Sequence, residues 1–330
     1  MIVLELSKEN IRLAAAEAIA LLKIKKPDWK LDNNFLIIKN KKINEKKGNN
    51  EAIKIKKLIK RLAFTRKAYT LLFECSIPSL PEKIKKYNWN KAYRQNCAVR
   101  LKGKSRLKLE EIAPLVLKKI KNPKVNLSNP KTQFTFFFGK KAYAAILKTI
   151  PKHSFEERKA NKLPGLLPIA MSPKLAAAAI NLTGIEKGTL LDPFCGTGGI
   201  LIEASLMGLK PIGYDIDREI LKKCKKNIDF LKIKNINLEN RDSLKWNTSV
   251  DYVVTDLPYG MNTKKIKNNF YKEFLKVLKG NLQKKAVIIF PHNLNYRKLI
   301  KDAKLKIENE FSMYIHKSLT RRIVVVKQKE

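Results

Sequence analysis

Asp256-Leu257-Pro258-Tyr259 closes an apolar, β-branched run (Tyr252, Val253, Val254, Thr255) and is followed by Gly260. The run reads as a buried strand that stops abruptly at the aspartate. Four consecutive positions then offer a carboxylate, a backbone carbonyl, a proline of fixed φ and an aromatic face. In open α/β sheets ligands sit outside the carboxyl ends of the strands. An exocyclic amine on a planar base needs this set of groups, because its lone pair is delocalised into the ring and attacks poorly. Two acceptors, the Asp256 carboxylate and the Leu257 carbonyl, can take both N–H protons and turn the lone pair toward an electrophile. Tyr259 can stack on the ring, worth roughly 1–3 kcal/mol per base.

A second acid-bearing strand end lies upstream. Thr189-Leu190-Leu191 leads to Asp192-Pro193, and a loop with Gly196, Thr197, Gly198 and Gly199 opens a helix from Ile200. Glycines let the backbone approach a ligand closely at a helix N-terminus. Neither G-x-G-x-x-G nor G-K-[ST] is present, and those patterns serve phosphate. An acid at the start of the loop suits a cationic, phosphate-free ligand such as the sulfonium of S-adenosylmethionine. The strand 211–215 ends in Asp215, placed to take ribose hydroxyls. Asp217 reads as a helix cap for 218–230. Asp242-Ser243 follows Asn237–Arg241, where Asp242 can accept from an adenine amino group. Four acids at successive strand ends are more specific than any one motif.

The elements that position these groups follow from pattern and composition. A chain of 330 residues suggests two or three domains, and the reading is α/β. Strands are expected at 2–6, 33–39 and 68–75, with helices at 8–22 and 51–63. That order suggests a ferredoxin-like domain over 1–75. Residues 76–150 read as a second small α+β domain, with strands at 97–101, 133–138 and 141–149 and a helix at 109–120. Residues 151–170 are a polar linker. Ser172 caps and Pro173 opens a helix to about 182, starting the domain 171–330.

The charge is extreme: 70 Lys+Arg against 29 Asp+Glu give +41, with 36 against 11 in residues 1–150. A Lys-rich composition alone would raise Glu as well, so a polyanion partner is expected, with nucleic acid the usual one. Arg94, Arg100, Lys102, Lys104 and Arg106 gather on one strand and the loop after it, as a phosphate-tracking surface or a solvated loop. The four cysteines are scattered with no C-x-x-C pair. They argue against zinc and disulfides and for a reducing cytoplasm. Neither a signal peptide nor a membrane span is expected.

The run of basic strand, helix, N-P-K and F-T-F-F-F in 97–138 resembles the THUMP domain of RNA-modifying enzymes. D-P-F-C-G-T-G-G-I-L-I-E-A (192–204) and T-D-L-P-Y-G (255–260) resemble motifs I and IV of amino-directed methyltransferases. R-x-x-x-x-L-P-x-x-x-P-x-x-M-S-P-K-L-A (158–176) and H-K-S-L-T-R-R-I-V-V-V (316–326) resemble the archaeal tRNA guanosine-10 N2-methyltransferases. The resemblance implies a Rossmann-like methyltransferase domain and S-adenosylmethionine across 192–199, with ribose on Asp215 and adenine near Asp242-Ser243. It implies that Asp256 and the Leu257 carbonyl orient N2 of a guanine against Tyr259, with neither a metal nor a covalent nucleophile. Arg321 and Arg322 are open between tRNA contact and support of the site edge. The family usually has proline where this chain has Leu257, which keeps the carbonyl but loses the ring. An adenine-N6 methyltransferase and a non-catalytic tRNA binder are the alternatives.

Overall fold

The computed structural model describes residues 1–39, 49–167, 170–258, 269–316 and 319–329. In chain order the elements are β1 (Ile2–Leu6), α1 (Ile11–Leu21), β2 (Trp29–Asp32), β3 (Phe35–Ile38), α2 (Asn49–Arg61) and β4 (Thr65–Cys75). There follow α3 (Leu80–Lys86), β5 (Cys97–Lys102), α4 (Leu109–Leu117), β6 (Thr132–Phe138) and β7 (Ala142–Thr149). After two short 3-10 turns come α5 (Pro173–Leu182), β8 (Thr189–Asp192), α6 (Gly199–Leu206), β9 (Lys210–Asp215), α7 (Arg218–Phe230) and β10 (Asn237–Asn240). The chain ends with β11 (Val250–Asp256), α8 (Phe270–Asn281), β12 (Leu282–Pro291), α9 (Tyr296–Asp302), β13 (Leu305–His316) and β14 (Leu319–Gln328).

Two compact units result. The first comprises residues 1–11, 24–60 and 65–151, and the second comprises 12–23, 61–64 and 152–330. The first unit holds one sheet in the order β2-β3-β1-β4-β7-β6-β5. The strands expected in residues 1–75 and in residues 76–150 all lie in this sheet. β4 is eleven residues long, enough to pair with β1 along one edge and with β7 along the other. Strands expected in two small domains therefore share one ladder. The aromatic run of β6 explains the core beneath it: Phe134 and Phe136 pack on Trp89 at centroid distances of 5.0 and 5.9 Å. Alternation along a strand sends Phe137 to the other face, against Phe35 and Tyr69.

The second unit holds the order β10-β9-β8-β11-β12-β14-β13. β10, β9, β8, β11 and β12 run parallel, and β14 returns antiparallel between β12 and β13. From β8 the chain winds outward to β10, then restarts on the other side of β8 with β11 and β12. The order reverses between β8 and β11, and a crevice opens at such a switch point. Apolar runs such as Val287, Ile288 and Ile289 are buried, as parallel strands covered on both faces require.

The early segment 12–23 joins this unit through a buried polar cluster. Glu17, fully buried, accepts from the backbone N–H groups of Ala63 and Phe64 at 2.6 and 3.0 Å and from Asn181 Nδ2 on α5 at 2.8 Å. Arg61 donates to Asn181 Oδ1 and to the Ile185 and Glu186 carbonyls. Burial raises the Glu17 carboxyl above its ordinary range while these donors oppose it. Ser172 caps α5 by accepting from the Leu175 N–H, with Pro173 in the first turn. Among the described residues no helix is long and apolar enough to cross a membrane.

Candidate active site

A cleft of about 580 Å³ lies at the carboxyl ends of the parallel strands of the second unit. It is lined by Asp192, Gly196, Thr197, Gly199, Asp215, Asp242, Ser243, Asp256, Leu257 and Pro258, so the tertiary structure brings these expected residues together. Pro193 and Gly198 are not among its lining residues and act through the backbone. Tyr259 lies outside the described residues.

The loop between β8 and α6 is built from backbone hydrogen bonds. Gly196 and Gly198 have φ of 53° and 90°, a left-handed region that is costly for other residues. The Cys195 N–H donates to the Tyr214 carbonyl at 2.9 Å, and the Gly198 N–H to the Cys195 carbonyl at 2.9 Å. A Cβ at 198 would stand 2.7 Å from Cys224 Sγ. Asn227 fastens the loop from α7. Its Nδ2 donates to the Thr197 carbonyl at 3.0 Å, and its Oδ1 accepts from the Gly165 N–H at 2.7 Å. Sequence reasoning missed Asn227. The available signal is its spacing, since it shares the buried face of α7 with Cys224 and Ile228.

Each acid is held differently. Asp192 is 1% exposed, and Oδ1 accepts from the Phe194 N–H at 3.2 Å. Burial pushes its carboxyl up to about 7, and the charges of Asp256 and Asp215 act in the same direction. Asp215 accepts from the Gly196 N–H at Oδ2 and from the Asp217 N–H at Oδ1, both at 3.0 Å. Burial raises its carboxyl as well. Asp217 caps α7 by accepting from the Glu219 and Ile220 N–H groups. Asp242 accepts from the Leu244 N–H at 3.0 Å, and the buried Ser243 hydroxyl donates to the Pro193 carbonyl. The Ser243 hydroxyl therefore shapes the loop from behind.

Asp256 ends β11 beside β8. Its Oδ2 accepts from Arg321 Nη2 at 2.9 Å and Nε at 3.1 Å, whereas Oδ1 is buried with no hydrogen-bond partner among the described residues. Burial pushes this carboxyl up to about 6, with Arg321 opposing. Arg321 itself is 3% exposed. Of its two expected placements the structure puts it at the site edge; a side chain so enclosed makes no surface contact with a phosphate. Arg322 is half-buried and donates to the Ser312 hydroxyl. Leu257 is fully buried, and its N–H donates to the Ile289 carbonyl at 3.1 Å, a bond that proline cannot make. The Pro258 carbonyl accepts from the Tyr271 hydroxyl at 2.9 Å.

Aromatic and ionic supports complete the surroundings. Phe194 packs against Phe270 and Phe274 with centroids 5.5 and 5.1 Å away. Arg158 forms a fork on the buried Glu203 of α6, Nε to Oε1 at 2.7 Å and Nη2 to Oε2 at 3.0 Å. Both residues stand in the motifs quoted above, but no sequence signal pairs them. Among the described residues lining the cleft the one Lys or Arg is Arg241, already engaged by Tyr214 and Asn247. Six carboxylates (Asp192, Asp215, Asp217, Asp242, Asp256 and Glu273) and a glycine loop, with so little positive charge, fit a cationic nucleoside carrying free hydroxyls and disfavour a polyphosphate.

In the first unit Arg94, Lys104 and Arg106 are exposed, on or beside edge strand β5. Arg100 donates to the Leu127 carbonyl at 2.7 Å, and Lys102 pairs with Glu5 at 3.3 Å.

A family model described as "RMKL-like, methyltransferase domain" matches residues 164–322, and one described as "DNA methylase" matches residues 8–226. The tRNA (guanine(10)-N2)-dimethyltransferase of Methanothermobacter thermautotrophicus is 33% identical over 286 residues, covering 82% of this chain and 84% of that protein. A probable tRNA (guanine(10)-N2)-dimethyltransferase of Methanothermococcus thermolithotrophicus is 41% identical over 171 residues, 47% of this chain and 98% of its own. Among solved structures, TrmN from Thermus thermophilus superposes with a TM-score of 0.51 at 15% identity over 99% of both chains, which bears on the fold alone.

Proposed function

Since the chain belongs to the family of tRNA (guanine(10)-N2)-dimethyltransferases, we propose that it methylates N2 of guanosine 10 in tRNA. The methyl donor is S-adenosylmethionine, and the products are N2-methylguanosine and then N2,N2-dimethylguanosine. The observation that carries this reading is the buried Oδ1 of Asp256, without a partner among the described residues, at the switch point beside the acid-lined glycine loop. Such an oxygen is costly unless a donor arrives, and a nucleobase amine is such a donor.

The cofactor fits the donor set described above and supplies an electrophilic methyl carbon. Asp192 and the loop 193–199 take its amino-acid and sulfonium part, Asp215 its ribose, and Asp242 its adenine. Asp256 and the Leu257 carbonyl hold the two amine protons, and Pro258 stiffens the turn beneath the base. The flipped guanine stacks on the aromatic ring of Tyr259. Transfer is a direct displacement: the nitrogen–carbon bond forms as the sulfur–carbon bond breaks. Positioning supplies most of the acceleration.

The first unit is the tRNA grip, with a THUMP-like surface formed by Arg94, Lys104 and Arg106 and flanked by Arg100 and Lys102. Such a chain works in the cytoplasm, where tRNA is. An adenine-N6 activity would use the same acceptors, so the product nucleoside decides between them. Incubation of tRNA with labelled cofactor, followed by nucleoside analysis, should give N2-methylated guanosine. Asp256→Ala should lower the rate roughly hundredfold or more while tRNA still binds. N6-methyladenosine as the product would overturn the assignment, and equal activity in D256A would overturn the site.

A further inference from the structure

Among the strand-end acids, Asp256 differs in how its two oxygens are used. Oδ2 sits in the fork of Arg321, at 2.9 and 3.1 Å, and Oδ1 has no partner among the described residues. Arg321 reaches it from β14, two strands away: Asp256 pairs with Ile289, and Pro291, two residues further along β12, pairs with Arg321. Two charge-assisted donors of a planar guanidinium converge on Oδ2, so that oxygen is the one held and Oδ1 is the one left over. At 3% exposure the guanidinium is not hydrated in competition with the pair.

We propose that Arg321 is a positioning residue of the methyl transfer, holding Asp256 so that Oδ1 is the oxygen offered to the amine and stays ionised to receive its proton. This rests on the function proposed above. As the nitrogen–carbon bond forms and the sulfur–carbon bond breaks, the amine's proton passes to Oδ1 and then to water, and the cofactor leaves as a neutral thioether. Among the described residues, the other charged and titratable groups near Asp256 are Asp192 at the end of β8 and Tyr271 and Glu273 on α8. Cys195, Asp215, Asp217, Arg241 and Asp242 line the same cleft. Burial works against ionisation of Asp256, and among the described residues the ion pair and hydrogen bonds with Arg321 favour it.

The test uses the full chain with Arg321→Gln, which loses the charge, and Arg321→Lys, which keeps it but loses the fork. Aspartate carboxyls are labelled with carbon-13 and titrated, the Asp256 signal being identified by its loss in Asp256→Asn. In parallel, single-turnover methyl transfer is measured across pH. In R321Q the Asp256 titration and the acid limb of the rate should both move up by roughly one to three pH units, with tRNA affinity unchanged. R321K should keep the limb in place and lower the plateau rate. A wild-type titration in R321Q, or equal losses in both variants at every pH, overturns the proposal. If R321Q does not fold, R321K decides: a plateau at the wild-type level removes any positioning role. Wild-type protein that transfers nothing to tRNA at any pH would overturn the proposed function instead, while the titration would still report on Arg321.

Discussion

Leu257→Pro restores the residue usual in the related motif, and the structure says it should harm this chain. Leu257 donates its N–H to the Ile289 carbonyl at 3.1 Å, and both residues are fully buried. Proline deletes the donor and leaves that carbonyl short of a partner, at about 1–3 kcal/mol. It also removes packed carbon from the cluster that holds Val253, Phe274 and Phe290, at about 1 kcal/mol per methylene once the cavity is counted. The fixed φ returns about 0.4–1 kcal/mol by restricting the unfolded chain. The net loss is roughly 1–4 kcal/mol. For a unit of this size that is a drop in melting temperature of roughly 2–14 °C. Thermal unfolding can be followed through Trp246, buried in the same cluster. From sequence alone the missing ring suggests a looser, slower site, so L257P would be faster; the observed bond predicts no gain in turnover at a temperature where L257P is folded. A melting temperature equal to or above wild type, or a faster enzyme, would refute the argument.

Three further outcomes are expected. Arg158→Met strands the buried Glu203 carboxylate and should cost about 3–5 kcal/mol, most of it recovered in the R158M/E203M double variant. Denaturant titration checks this, and equal losses in single and double variants would disprove the pairing energy. The folded chain holds the Asp192 proton up to about pH 7, whereas the ordinary carboxyl value is 3.8. Stability of the cofactor-free protein should therefore fall as pH rises across that window. For the same reason a cationic cofactor should release a proton on binding and bind more tightly as pH rises toward 7, as calorimetry in buffers of different ionisation heat would detect. Asp192→Asn should flatten both dependences. Finally, tRNA affinity should fall steeply with salt, and K104E/R106E should lower the logarithmic slope by roughly 0.7–0.9 for each phosphate no longer neutralised. An unchanged slope in that variant would remove these residues from the RNA surface.

Much of the catalytic half was legible in the residues themselves. An aspartate at the end of an apolar run, a loop of glycines and a following helix are local patterns, and backbone geometry enforces them locally. Asp217, Ser172 and Pro173 fall at helix starts because capping depends on a few neighbouring positions. The Rossmann-like sheet was expected from the resemblance, whereas the switch point between β8 and β11 came from the strand order.

What sequence left open are pairings between distant positions. The ladder from β4 to β7 that merges the first unit into one sheet depends on strand register, which a hydrophobic pattern does not specify between alternatives of similar length. The membership of residues 12–23 in the second unit depends on a buried acid at 17 finding donors at 63, 64 and 181. The motif residues Arg158 and Glu203 were in view but unpaired, and Arg321 was divided between surface and site. By itself the sequence determined which groups could do amine chemistry and on which strand ends they stand, because those depend on neighbours along the chain. Only the tertiary structure decided that Arg321 occupies one oxygen of Asp256 and leaves the other without a donor among the described residues, because burial and charge pairing between β11 and β14 exist only once the sheet is assembled.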